Sequence, residues 1–137
     1  KWDFIQNNFK LGLAMKFLLF TLLCALLVVF LNLIAPFWVV MIAIASVAAL
    51  VRPSGWAGFF GGGVGMGLAW LGQALLISMS TSSTLPDKMG ILMGLGSGLA
   101  VFGLTTALGF ILGGLSGLTG VLFRNLIQKK PSDVYLG

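Results

Sequence analysis

The side chains that could do chemistry in this chain are few, and their types exclude more than they allow. The chain has no histidine and no glutamate, and Asp3, Asp87 and Asp133 all lie outside its apolar stretches. Nucleophilic catalysis by a serine needs an adjacent base, which those stretches do not supply. Haem, zinc and iron–sulfur centres need several imidazole or thiolate ligands, and Cys24 is the one thiol. Proton relays and ion paths are marked by ionisable groups at membrane depth, and none stands there. The run GFFGGGVGMG shares only composition with a phosphate-cradling loop, because no Lys-Ser/Thr pair follows it. We therefore expect no catalytic residue, no metal and no cofactor: a protein that is not an enzyme.

What remains is hydrogen-bonding chemistry. Gln73, far from either end of an apolar tract, is expected to bond a neighbouring helix, a contact worth about 0.6–2 kcal/mol. Asn32, four residues ahead of Pro36, reads as a turn residue rather than a pore ligand. Thr105 and Thr106 are expected to bond back to their own helix. Asp87 and Lys88 are placed to cap the helix that follows them. Cys24, inside an apolar run, reads as a small buried side chain.

These residues need elements to hold them, and composition says which. Of 137 residues 58% are hydrophobic and 8% charged, against about 25% charged in soluble domains. Segments 17–51, 53–86 and 89–123 carry no charge at all. Each exceeds the roughly 20 apolar residues that cross a bilayer as a helix. The run LLFTLLCALLVVFLNLIA does not alternate as a barrel strand would, so we expect an all-α polytopic bundle. The net charge of +5 does not indicate nucleic acid, because the basic residues flank apolar tracts instead of forming a stripe. Trp2, Lys16, Arg52 and Arg124 are expected as interface anchors, with Lys16 snorkelling to headgroups.

The boundaries follow from breakers and charge within one integral membrane domain, 1–137. Segment 1–14 reads as an interfacial helix on membrane lipid or as the cytoplasmic end of the first span. Lys10 and Lys16 resemble a signal-peptide start, but the apolar run outlasts any such core, so it is expected to stay. Residues 15–51 form a hairpin broken near Asn32 and Pro36, 52–79 a third span, and 80–88 a polar loop. The tract 89–123 is too long for one straight span. Its length favours five spans in all, whereas the basic residues favour four, with 124–137 as a cytoplasmic tail beside a cytoplasmic N-terminus. We adopt four, leaving a tilted, broken or re-entrant helix to absorb the surplus length.

Eighteen of the twenty glycines fall between Gly55 and Gly120. Gly58, Gly62, Gly65, Ala69 and Gly72 recur at helical spacing, as do Thr106, Gly109, Gly113, Ser116 and Gly120. Each set reads as one stripe along which helix backbones approach closely. Gly90, Gly94 and Gly98 form a further row, while Gly61, Gly63 and Gly67 lie off the main stripe. So many small faces favour at least one meeting another polypeptide, the alternatives being purely internal packing or a lipid- or quinone-sized groove beside the glycines.

The stretches LIAPFWVVMIAIASVAALVRPSGWAGFFGGGVGMGLAWLGQALLI, LPDKMGILMGLGSG and GGLSGLTGVLFR resemble small multi-span inner-membrane proteins of the Bacteroidota, over 33–124. The resemblance implies a bacterial inner membrane and brings no activity. The expected role is that of an accessory or scaffold subunit docking through glycine-rich faces onto a partner membrane protein or a copy of itself. The alternative is a small oligomeric channel or lipid- or solute-handling protein lined by Gln73 and Thr105.

Overall fold

The computed structural model describes residues 2–82 and 84–128, with side chains from Gln6 onward. The described residues form five helices and no strand. Helix α1 covers Trp2–Asn32 without interruption, so among the described residues 2–14 run straight into the span that follows. The side chain of Trp2, and the tail from 129, lie outside the described residues. Helix α1 closes with Ile34 N and Ala35 N both donating to Leu31 O, at 3.0 and 2.7 Å. Pro36, at φ −65°, then caps α2 (Phe37–Val51), where its missing N–H costs nothing.

Helix α2 has 15 residues, about 22 Å at 1.5 Å each, shorter than the ~30 Å hydrocarbon layer. It ends on Arg52 in the left-handed conformation, φ 56°, with its N–H bonded to Ala48 O. Ser54 starts α3 (Gly55–Thr81) by accepting the Ala57 N–H on its hydroxyl. Helices α1, α3 and α5 (Gly98–Gln128) are each long and apolar enough to cross a membrane.

The tract 89–123 breaks early. Helix α4 (Leu85–Leu92) is eight residues, about 12 Å, too short to cross hydrocarbon, and the rest of the tract forms one long helix, α5, rather than a hairpin. After it the chain turns on Gly94 and Gly96, at φ 74° and 77°, a conformation in which a Cβ would be strained. The amides of Leu95 and Gly96 both bond Gly90 O. Asp87 Oδ1 accepts the Gly98 N–H at 3.0 Å, capping α5 across the turn. Gly90, Gly94 and Gly98 are therefore not a helix face: two belong to the elements on either side of the turn, and one makes the turn.

Helix direction follows from the contacts. Phe20 stands at Gly61 and Cys24 at Gly65, so α1 and α3 run parallel. Gly58 stands at Gly117 and Gly62 at Gly113, so α3 and α5 run antiparallel. Ala45 stands at Gly120 and Ala49 at Arg124, making α2 parallel to α5. The starts of α1 and α3 and the ends of α2 and α5 thus share one end of the bundle. Phe20, Cys24 and Val28 on α1, and Val40, Ile44 and Ala48 on α2, recur every four residues and bury completely around Met66. Leu18, Leu22, Leu26 and Phe30 on the outer side of α1 stay exposed, an arrangement suited to hydrocarbon rather than water.

Candidate functional site

The glycines meet neighbours in two ways. At the centre of the α3–α5 contact, a methyl group on Gly62 would collide with the Gly113 carbonyl, and one on Gly113 with the Gly62 carbonyl. One turn away a methyl group on Gly117 would collide with the Gly58 carbonyl, whereas one on Gly58 would press first on the Val121 side chain, and one on Gly109 would sit 3.2 Å from Gly67 Cα, tighter than ordinary contact. The other mode is a socket. Gly61 receives the Phe20 ring, Gly63 the Phe110 ring and Gly114 the Phe59 ring. Phe59 and Phe110 meet edge-on with centroids 5.8 Å apart, and Trp56 stacks on Phe60 at 6.1 Å.

The α3 stripe is not one surface. Gly58 and Gly62 face α5, whereas Gly65 faces Cys24 and Thr21 of α1; Ala69 is buried in the core cluster. Gly72 faces nothing within 4 Å, because at that level α3 reaches α1 through Gln73 and turns Gly72 away. The α5 stripe also divides. Gly109 and Gly113 meet α3, Ser116 is buried with its hydroxyl on Leu112 O, and Gly120 abuts Ala45 of α2. Gly61, Gly63 and Gly67, expected off the seam, are filled from inside the chain because α1 and α5 flank α3 on two sides. Fourfold spacing marks which residues are small but not which neighbour each receives.

Three polar features stand at the ends and centre of the bundle. Asn32 Nδ2 donates to Gln73 Oε1 at 2.7 Å, and Gln73 Nε2 donates to Val29 O at 3.3 Å. Asn32, expected only as a turn residue, thus joins Gln73 in a clamp holding the end of α1 to α3. Thr105 and Thr106 donate to Val101 O and Phe102 O of their own helix, at 2.9 and 2.8 Å. Gln73 and Thr106 line separate openings, and the Thr106 opening, between α3 and α5, is an apolar groove of about 820 Å³ that includes Gly103 and Phe110. Lys16 is exposed on α1.

At the opposite end Arg124 Nη1 donates to Ala49 O at 2.8 Å, tying α5 to α2. With the Gln128 amide oxygen turned toward the guanidinium groups, it accepts from Arg124 Nη2 at 2.9 Å and Arg52 Nη2 at 3.2 Å. Sequence reasoning missed this convergence. Arg124 and Gln128 sit four apart on one helical face, which was visible, but nothing local placed Arg52 beside them. Among the described residues no group of three or more His, Cys, Asp or Glu comes together.

Comparison of the chain with family models, with curated proteins and with solved structures finds no match.

Proposed function

We propose that the protein is a four-span, non-catalytic accessory or scaffold subunit of a bacterial inner-membrane complex, with α2 as its short fourth span and both ends of the chain on the cytoplasmic side. The observation that carries this is the engagement of its polar groups: Gln73 and Asn32 hold each other, and the hydroxyls of Thr105, Thr106, Ser116 and Thr119 hold carbonyls of their own helix. Between α3 and α5, what is left to offer a partner is shape in an apolar exterior. The glycine pairs Gly62–Gly113 and Gly58–Gly117 are occupied within the chain, so docking falls instead on the open groove between α3 and α5, where Gly103 has no neighbour within 4 Å. Its occupant is a transmembrane helix of another subunit or of a second copy, since small residues beside a groove let helix backbones approach. The basic flanks support the orientation.

The test is site-directed photo-crosslinking in native membranes. A crosslinker at Leu99 or Ile111, on the groove, should trap one discrete membrane protein or a dimer of the chain. At Leu22, on the far side of α1, it should trap lipid alone. Lipid adducts alone at all three positions would exclude docking at the groove.

A further inference from the structure

We propose that Arg52, Arg124 and Gln128 form a binding site for the phosphate of an anionic glycerophospholipid headgroup. Two guanidinium groups, one on α5 and one at the C-cap of α2, converge on the neutral side-chain amide of Gln128. Among the described residues no hydrogen bond or ion pair joins either of them to a carboxylate. Arg124 Nη1 is held by Ala49 O at the carbonyl end of α2, and its Nε is a buried donor without a partner. Nε and Nη2 lie along the edge of the guanidinium that binds phosphate with two parallel hydrogen bonds.

Beside them is a cavity of about 110 Å³ lined by both arginines and Gln128, well above the roughly 10–15 Å³ that one water needs. Arg52 is also held at φ 56°, where glycine would be unstrained, so its side chain is kept at a conformational cost. Ala49, whose carbonyl Arg124 holds, lines an open apolar groove between α2 and α5 with Ile42, Gly120 and Phe123. A headgroup site next to an apolar groove fits a phosphate that carries acyl chains better than a free anion. The inference rests on the membrane-spanning reading, because only there do helix ends stand at headgroup depth.

The test is native mass spectrometry of the full chain released from mild detergent, with phosphatidylglycerol, phosphatidylcholine or inorganic phosphate added in separate arms. Phosphatidylglycerol should bind about tenfold more tightly than phosphatidylcholine, and Arg52→Gly should remove about that preference. Arg52→Gly suits the left-handed backbone, so circular dichroism should show it folded, whereas Arg124→Gln also loses the bond to Ala49 O. Arg124→Lys keeps the charge without the fork and should bind at an intermediate level. Equal binding of the two lipids, or undiminished phosphatidylglycerol binding by folded Arg52→Gly, overturns the site. Arginine-dependent binding of inorganic phosphate without any of phosphatidylglycerol overturns the lipid assignment in favour of a free anion. Alkaline carbonate extraction separates the two readings: a chain that stays in the membrane but shows no lipid preference refutes the site alone, and one that is extracted refutes the membrane reading.

Discussion

At the scale of single residues, the interior polar contact between helices is an amide pair, Asn32 with Gln73, while among the described residues Thr21 Oγ1 and Trp70 Nε1 stay buried without a partner. Gln73 gives both ends of its amide to α1, accepting from Asn32 and donating to Val29 O. Gln73→Leu keeps the volume and removes both bonds, so we expect a loss of about 0.6–2 kcal/mol, read as an earlier unfolding transition by circular dichroism in detergent. Thr105→Ala, which removes only a bond to its own helix, should stay within about 0.5 kcal/mol of the parent by the same measurement. Equal effects from the two would mean that the interhelical clamp carries no special weight. Asp87 works differently: its carboxylate accepts the first N–H of α5 from eleven residues away. Asp87→Ala should cost roughly 1 kcal/mol, the ordinary worth of a cap, with Asp87→Asn recovering most of it.

At the scale of elements, glycine answers two separate needs, and substitutions should separate them. Gly62→Leu or Gly113→Leu drives a side chain into the facing carbonyl, so α3 and α5 must part. We expect at least about 1–3 kcal/mol of lost stability in the isolated chain, rather than loss of association by an intact monomer. Gly72→Ala, in open space on the same α3 stripe, should be neutral or slightly stabilising. Gly96→Ala should cost roughly 1–2 kcal/mol, because its φ of 77° is strained for any side chain. These contrasts also show what the sequence could and could not carry. Pro36, the Arg52-Pro53-Ser54 turn and uninterrupted hydropathy located the end of α1, both ends of α2 and the end of α3 to within about two residues, since breakers and apolar length act locally, whereas α1 begins at Trp2, well before the start at 15 expected for the first span. The break at Gly94 and Gly96 was harder, because a glycine at fourfold spacing looks the same in a helix row and in a turn. The partition of Gly58, Gly65 and Gly120 among three different contacts was not legible, because it depends on where α1 and α2 lie around α3 and α5. Gln73 could be picked out as a lone amide in an apolar run, whereas its partner Asn32, 41 residues away, could not.

At the scale of the whole molecule, the parallel pairing of α1 with α3 and of α2 with α5 brings the starts of the first two and the ends of the other two to one end. Lys10, Lys16, Arg52 and Arg124 gather toward that end, and Asp87 with Lys88 stands at the other. That separation suits the proposed orientation, in which basic residues stay on the cytoplasmic side and α2, despite its 15 residues, is a crossing helix. The proposed function depends on that crossing, because only then does the end that Arg52 and Arg124 share stand at one face of the bilayer. The direct measurement is cysteine accessibility to an impermeant maleimide in sealed, right-side-out membrane vesicles, in a Cys24→Ala background, with single cysteines at Gln6, Ser82 and Gln128. Labelling of Ser82→Cys from outside, with Gln6→Cys and Gln128→Cys reacting only after permeabilisation, is the predicted result. Labelling of Gln6→Cys and Gln128→Cys from opposite sides would contradict it.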